Sequence, residues 1–337
     1  MKPRTPGFWL IAISLGIMPL KILGQSFWDA PGNGLLNALG GLPRSNPKWW
    51  EDKEHMQILR DTYEKQDRER RDAYEKQARE QRITLAEEDA DAWVREHPET
   101  AEKTATFKRR LKAAAQGDAN AQLRVGYCYY TSLGVAKNNA RAVDWFRVSA
   151  TQGLSIAQIN LGTCYYAGTG VSKNDADAFR WFLAAAEQEN THAQNRVGLF
   201  YYLGEGAPQN EFRAVYWWSK AAEQGDSLAQ LRLGGCYFSG RGVGQDYVRA
   251  LKWYILAAEQ GDPAAQVAAG NHYVHGLGVA KDEVEAYAYY SLVAVPSEFA
   301  KKELTELEKG MTHDARLRGQ QRAKELQKEI EAKKARK

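Results

Sequence analysis

The chain of 337 residues is predicted to be an all-α protein made of five stacked helical hairpins, because three sequence patterns repeat along it. Alanine followed by glutamine recurs at intervals of 36 residues, at Ala121, Ala157, Ala193, Ala229 and Ala265. Glycine keeps the same interval at Gly126, Gly162, Gly198, Gly234 and Gly270. Tryptophan keeps it at Trp145, Trp181, Trp217 and Trp253. One short hairpin cannot bury its apolar face alone, so the repeated copies indicate a stack with a shared core.

Each copy is predicted to contain two helices, and the last copy shows the signals most clearly. Asp262 is suited to cap a helix N-terminus, and Pro263 fits the first helical position, where a missing N–H costs nothing. Gly276 ends this helix, because glycine readily adopts the left-handed conformation of a C-cap. Asp282 and Glu285 then have the spacing of a capping box at the start of the second helix.

The repeat resembles the Sel1-like repeat, a relative of the tetratricopeptide repeat. The second copy matches its pattern at Ala157, Leu161, Gly162, Tyr165, Gly168, Gly170, Val171, Asn174, Ala178, Trp181, Phe182, Ala185 and Ala186. The departures are Ser132 in place of a glycine, Glu189-Asn190 in place of Gly-Asp, and Tyr289 in place of a tryptophan. The five copies fall within residues 107–296, and residues 108–117 resemble a preceding second helix. The resemblance implies a right-handed α-solenoid that holds proteins or peptides, without catalysis or a cofactor.

Residues 1–24 are predicted to be a secretory signal peptide. Basic side chains precede an apolar stretch from Phe8 to Met18, and Gly24 supplies a small residue for cleavage. The stretch is shorter than the roughly 20 apolar residues that a spanning helix needs, and an uncleaved anchor at residues 8–24 is the alternative. We therefore expect a periplasmic or secreted protein, and an unprocessed N-terminus would contradict this. Residues 25–50, rich in Gly, Pro and Asn, are predicted to be a flexible linker.

Residues 51–97 are predicted to form a long charged helix. They contain a near-duplication of 11 residues, 61–71 followed by 72–82, and such a period fits a straight or slightly right-handed helix. Apolar residues are sparse, which favours a solvated helix, and self-association as a coiled coil is the alternative. The pair His97-Pro98 ends this helix before the repeats begin.

Residues 297–337 are predicted to be helices that cover the open end of the stack. Phe299, Leu304 and Leu307 assign this capping role to the first of them, and Thr312 starts a second, amphipathic helix with a basic end. Seven Lys or Arg and three Glu after position 321 equal the net charge of +4, so the remaining chain is neutral. Nucleic acid is therefore not an expected partner. Weak contact of the basic tail or the N-terminus with anionic lipid is the alternative to a solvated tail.

The sequence predicts no metal site, cofactor site or catalytic group. Cys128, Cys164 and Cys236 share one repeat position, and neighbouring helices are spaced farther apart than the roughly 7 Å that a disulfide allows. We therefore expect buried free thiols. His272 and His275 could share a metal ion, but no third ligand follows at helical spacing, so both are expected on the surface. The Gly-x-Gly loops follow helices and lack a P-loop lysine, which argues against phosphate binding.

The candidate binding residues are those that vary between copies on the first helix. Arg124, Arg196 and Arg232 share one repeat position, which other residues interrupt in the second and fifth copies. If this face is concave, three guanidinium groups about one repeat apart could hold the carboxylates of an extended peptide. Tyr127 is the fourth candidate. The predicted function is a non-catalytic scaffold of the cell envelope or secreted space that binds a protein or peptide on the concave face.

Two other functions stay open. The first is an envelope enzyme that acts on cell-wall material, because some cysteine-rich Sel1-like proteins have been associated with β-lactam binding. Those relatives carry paired cysteines within each repeat, which this chain lacks. A cleft with clustered titratable residues of shifted pKa would favour this alternative. The second is a structural spacer tethered by the N-terminal segment.

Overall fold

The structure is a computed structural model that describes residues 53–293 and 297–335. This part of the chain contains 14 α-helices and no strand. The helices are α1 (Lys53–Glu96), α2 (Ala101–Ala115), α3 (Ala119–Thr131), α4 (Asn139–Thr151), α5 (Ser155–Ala167), α6 (Asp175–Glu187), α7 (Thr191–Leu203), α8 (Glu211–Glu223), α9 (Ser227–Ser239), α10 (Tyr247–Ala258), α11 (Pro263–His275), α12 (Glu283–Val293), α13 (Glu298–Gly310) and α14 (His313–Ala335).

The predicted signal segment, residues 1–24, and the predicted linker, residues 25–50, lie outside the described residues. The last two residues of the basic tail do as well. None of the described helices is both long enough and apolar enough to cross a membrane. The chain divides into two units between residues 77 and 78. The described residues of the first unit form the start of α1, and the second unit holds the rest of α1 and all later helices.

The repeats form a solenoid in which the helices from α2 to α12 each pack against the next one along the chain. Odd-numbered helices from α3 to α11 are the first helices of the five repeats, and even-numbered helices from α4 to α12 are the second helices. Three clusters of buried residues each extend across more than one repeat. The predicted all-α solenoid of helical hairpins is therefore confirmed.

Glycine on each first helix lets an aromatic ring of the second helix approach closely. A Cβ atom placed on Gly198 would lie 2.5 Å from Cδ1 and Nε1 of Trp218, and one on Gly126 would lie 2.6 Å from the Phe146 ring. The ring in this contact follows directly after the recurring tryptophan. Of that tryptophan series, Trp145 and Trp217 are buried, and Trp181 and Trp253 are partly buried.

The second glycine of each Gly-x-Gly loop joins one repeat to the preceding one. Gly170 has a φ of 72°, and a Cβ there would lie 2.2 Å from the carbonyl oxygen of Asn139 at the start of α4. A side chain at this position is therefore excluded by both backbone conformation and space. At the first loop position of the first repeat, Ser132 replaces a glycine but adopts the same left-handed conformation, with a φ of 58°.

The predicted caps of the last repeat are confirmed, with one difference. The Asp262 carboxylate accepts a hydrogen bond from the Ala265 N–H, Pro263 starts α11, and Gly276 ends it in the left-handed conformation. The Asp282 carboxylate likewise accepts from two N–H groups of α12.

Glu285 is the residue of this repeat that departs from the prediction. Instead of completing a capping box with Asp282, it forms an ion pair with Arg322 of α14, with 2.7 Å between Oε1 and Nε. A tertiary ion pair has therefore replaced a local cap.

The end of α1 and helix α2 cover the N-terminal end of the stack. Ala86 and Ala90 of α1 are fully buried in the same core cluster as the first repeat. Asp89 between them accepts a hydrogen bond from the Tyr129 hydroxyl at 2.8 Å and pairs with Nε of Arg141 at 2.6 Å. The prediction of a solvated helix is therefore wrong for this last part of α1.

At the other end of the stack, α14 provides most of the cover. It packs along α12, and its Leu326 and Ile330 side chains are buried. The close approach depends on Gly319, where a Cβ would lie 2.7 Å from the Tyr287 ring. Helix α13 also contacts α12, but Phe299 remains 52% exposed. Leu304 and Leu307 of α13 pack against the buried cluster that contains Tyr287 of α12, so both helices pack on the last repeat, and α14 makes the more extensive contact.

Candidate functional site

The exposed side of the first helices forms a continuous surface, which we call the first-helix face. The second, sixth and ninth residues of each first helix lie on this side, because residues three or four apart share one helix face. The second position is exposed in all five repeats, at Asn120, Ile156, His192, Leu228 and Ala264. The sixth position carries Arg124, Asn160, Arg196 and Arg232, and the ninth position carries Tyr127 in the first repeat.

The three predicted arginines do not form one continuous column. Arg124 is exposed in the first repeat and is separated from the other two by Asn160. The Asn160 side chain donates a hydrogen bond to the Tyr127 hydroxyl at 2.8 Å. The Tyr127 ring also packs edge-on against the ring of Phe146, with 5.4 Å between centroids. Tyr127 and Asn160 therefore hold each other across the first two repeats.

Arg196 and Arg232 occupy the same position in the adjoining repeats three and four. Each guanidinium group lies over an aromatic ring, Arg196 at 5.9 Å from the Tyr166 centroid and Arg232 at 5.7 Å from the Trp218 centroid. Such stacking orients a guanidinium group without neutralising it. Within the described residues, neither group forms an ion pair with a carboxylate.

The electrostatic environment of this pair is positive. Burial lowers the pKa of Arg232 below its ordinary value, the charge of Arg196 lowers it further, and Asp226 opposes both effects. Burial also lowers the pKa of His192, with the same contribution from Arg196. The Arg196 charge therefore lies close enough to Arg232 and His192 to disfavour the protonated form of each.

The buried Asn195 side chain fixes the position of the Arg232 guanidinium group. Asn195 is only 4% exposed, its Oδ1 accepts a hydrogen bond from Nη1 of Arg232, and its Nδ2 donates to Asp226 Oδ1 at 2.9 Å. Asp226 is in turn the N-cap of α9 and accepts from the Ala229 N–H. The guanidinium group of Arg232 is thus connected to the backbone of its own helix through a buried amide.

Asn195 is not among the predicted binding residues, although the five repeats contain a signal for it. The equivalent residues in the other four copies are apolar, namely Leu123, Ile159, Leu231 and Val267. A buried polar residue is costly unless its groups are hydrogen-bonded. A polar residue at a position that is apolar in every other copy therefore indicates a specific contact.

Glutamines of successive repeats also form a ladder of hydrogen bonds, which the sequence pattern did not predict. The glutamine of each Ala-Gln pair donates from Nε2 to an alanine carbonyl in the preceding helix, over distances from 3.1 to 3.3 Å. In the first four repeats it also accepts from a glutamine after the second helix, at 2.6 to 2.9 Å. These residues are Gln122, Gln158, Gln194, Gln230 and Gln266, with Gln152, Gln188, Gln224 and Gln260 as donors. The ladder links each repeat to the preceding helix pair.

The cysteine and histidine residues offer no reactive group on the first-helix face. Cys128, Cys164 and Cys236 are buried free thiols, as predicted. Burial raises the pKa of Cys164 and of Cys236 to about 11, which disfavours the nucleophilic thiolate. In the described part of the chain, no group of three His, Cys, Asp or Glu side chains could hold a metal ion.

The expectation that both histidines of α11 lie on the surface is wrong for His272. It is 1% exposed and takes the repeat position of the cysteines. Its Nδ1 lies 2.8 Å from the carbonyl oxygen of Leu277, so Nδ1 carries the proton and donates. Rings of Phe238 and Tyr254 pack around it. The apolar residues around this position on the neighbouring helices enclose the imidazole, which sequence spacing alone does not reveal.

Comparisons with known proteins agree with the repeat pattern. The model of the Sel1 repeat matches residues 119–154, 155–190, 191–226, 227–262 and 263–294. A solved Sel1 repeat protein from Oxalobacter formigenes is 33% identical, with a TM-score of 0.58, and the match covers 70% of this chain and 99% of that one. The protective antigen c5321 of uropathogenic Escherichia coli, which displays an SLR fold, is 26% identical, with a TM-score of 0.31 and coverage of 67% and 64%. The immunity protein Pa5087 of Pseudomonas aeruginosa is 24% identical, with a TM-score of 0.35 and coverage of 60% and 80%. No curated protein matches the chain.

Proposed function

The chain belongs to the Sel1 repeat family, and we propose that it is a non-catalytic scaffold that binds a protein or peptide on its first-helix face. Sel1 repeat proteins generally serve as scaffolds for protein interactions. The observation that carries the proposal is the composition of this face. It combines exposed apolar side chains, Ile156 and Leu228, with two arginines that have no carboxylate partner among the described residues.

A second apolar surface lies on the second helices of repeats three and four. Phe212 is 76% exposed and Val248 is 63% exposed, and Tyr216 lies beside them. The ammonium group of Lys220 lies 5.0 Å from the Tyr216 ring centroid and covers part of it. This surface extends over two repeats but does not carry two arginines without ion pairs, so the first-helix face is the better candidate for recognition. Phe212 and Val248 on the second helices serve as control positions.

Site-specific photo-crosslinking in cells tests which surface binds. A photoreactive phenylalanine is placed at Ile156 or Leu228 on the first-helix face, and at Phe212 or Val248 on the second helices as matched controls. We expect one defined protein adduct from both first-helix positions and none from the controls, with the partner identified by mass spectrometry. Adducts from the second-helix positions alone would contradict the proposal, and no adduct from any position would favour the spacer.

Export of the protein is part of the proposal and rests on residues 1–24. Their basic start, apolar stretch and small residue are typical of a secretory signal peptide. An exported scaffold would meet its partner in the periplasm or outside the cell, and the cross-linking is therefore read out separately in each cell fraction.

A further inference from the structure

Asn195 is the point where the repeat pattern is broken inside the core rather than on the surface. The other four repeats place a leucine, isoleucine or valine there, so the fold itself does not require an amide. In repeat three the side-chain oxygen of Asn195 accepts a hydrogen bond from the Arg232 guanidinium group, and its side-chain nitrogen donates one to the Asp226 carboxylate. A buried polar residue stabilises a core less than an apolar residue of similar size. Stability therefore does not explain the asparagine at this position, and the effect that remains is the orientation of Arg232.

The oriented guanidinium group forms no ion pair within the described residues. The charge of Asp226 still acts on it, but the Asp226 carboxylate caps α9 and accepts from Asn195. Arg196 on the first helix of the preceding repeat adds a second positive charge, which lies over a ring and forms no ion pair within the described residues. Arg232 is held by Asn195 and partly desolvated, and a second guanidinium group of like charge near it favours an anion between the two, because low local dielectric strengthens the attraction.

The exposed residues around the pair indicate the kind of anion. Leu228 lies one helical turn before Arg232, and His192 lies one turn before Arg196, where burial and the Arg196 charge keep its pKa low. An apolar side chain beside a positive site suits a peptide that carries both acidic and apolar residues. It is less suited to a free inorganic anion.

We propose that Arg196, together with Arg232 in the orientation set by Asn195, forms a binding site for Asp or Glu carboxylates of an acidic peptide segment of the partner. This inference rests on the proposed function and narrows it to repeats three and four. Arg124 is not part of the site, since Asn160 separates it from the pair and no buried amide contacts it among the described residues.

An array of octapeptides tests the proposal with the purified full chain. Each peptide carries one Glu, or two Glu at every spacing, in a background of Leu and Ser, and a matched array has Gln at the same positions. We expect at least one Glu peptide to bind tenfold or more tightly than its Gln counterpart, a difference equal to about 1.4 kcal/mol. If no Glu peptide exceeds its Gln counterpart, the carboxylate site is refuted. The photo-crosslinking result on the first-helix face would be unaffected.

Three variants distinguish a built site from general attraction between charges. Arg196→Glu and Arg232→Glu should each weaken the best Glu peptide at least tenfold, whereas Arg124→Glu, with the same change of net charge, should leave it within twofold. Equal weakening by all three would refute the site. Arg196 forms no hydrogen bond within the described residues that the substitution would break, so R196E is the decisive variant should R232E unfold.

Asn195→Leu is the most specific variant, because it keeps both charges and restores the residue type of the other repeats. We expect it to weaken the Glu peptide at least threefold while leaving the thermal stability unchanged or higher. Wild-type affinity in this variant would show that the arginines bind without the buried amide and would refute its role. Circular dichroism spectra and melting curves of every variant verify that the fold is intact.

Discussion

Replacing three equivalent or neighbouring glycines by alanine measures how closely the two helices of a repeat must approach. A new Cβ on Gly198 would lie 2.5 Å from the Trp218 ring, and one on Gly162 would lie 3.1 Å from the Phe182 ring. One on Gly235 would have its nearest neighbour at 3.8 Å, which is an ordinary contact. Trp218 cannot move aside freely, because it is 2% exposed and its Nε1 donates to the Asn195 carbonyl oxygen at 3.2 Å.

Two opposing contributions set the expected change in the free energy of unfolding. Alanine stabilises a helix interior by about 1 kcal/mol relative to glycine, and overpacking a core costs about 1–3 kcal/mol. We therefore expect Gly235→Ala to stabilise by about 1 kcal/mol and Gly162→Ala to be close to neutral. Gly198→Ala should destabilise by about 1–2 kcal/mol once the helix gain is subtracted from the larger overpacking cost. For a chain of this size, 1 kcal/mol corresponds to a Tm change of about 2–4 °C.

Thermal unfolding of the full chain, followed by circular dichroism, provides the measurement. Only the order of the three Tm values is compared, because unfolding of a repeat array need not be two-state. All three substitutions lie in the middle of first helices, so differences in helix propensity cancel. A G198A variant that melts at or above G235A would refute the inferred close contact between helices.

Two further perturbations test features that the repeats do not share. Burial lowers the pKa of His272 below its ordinary 6.5, so the unfolded chain takes up a proton before the folded chain does. The stability that the neutral ring contributes is full above pH 6.5 and is lost as the pH falls toward the folded pKa. His272→Phe should therefore reduce the loss of Tm between pH 7.5 and 5.5, whereas His275→Gln, on the surface, should not. Asp89→Ala should destabilise by about 1–3 kcal/mol by leaving the buried Tyr129 hydroxyl unpaired, and should speed hydrogen exchange at the end of α1. The control Asp91→Ala, which breaks an exposed ion pair with Lys108, should cost about 0–1 kcal/mol, and equal effects of the two variants would contradict the assigned role of Asp89.

Local signals in the sequence predict much of this fold. Asp262, Pro263 and Gly276 define the start and end of a helix through groups that act within one turn, so their roles do not depend on the rest of the structure. The interval of 36 residues then identifies the equivalent positions, so the helix bounds of one hairpin predict those of all five. This is why the bounds of the hairpins could be predicted closely.

Contacts between distant parts of the chain could not be predicted in this way. Glu285 has the spacing of a capping box but pairs with Arg322, which lies 37 positions later. The charged appearance of α1 predicts a solvated helix, yet the two small residues Ala86 and Ala90 bury its last part against the first repeat. Alanine is only weakly apolar, so the sequence pattern does not distinguish a buried alanine stripe from an exposed one.

Some buried residues of this chain differ from the residues at the same position in the other repeats. Their contacts indicate whether such a substitution serves the structure or the function, and they do so more clearly than the contacts of surface residues. His272 replaces a cysteine, and its Nδ1 donates to the carbonyl oxygen of Leu277 within the same repeat. Its buried Nε2 has no hydrogen-bond partner among the described residues. Asn195 replaces an apolar residue, and its side-chain oxygen Oδ1 accepts a hydrogen bond from Arg232, a side chain that continues to the surface. We expect the first change to affect the stability of the repeat. The second transmits a buried contact to an exposed charge, and this is the arrangement expected of a binding residue that must be held in one orientation before its ligand arrives.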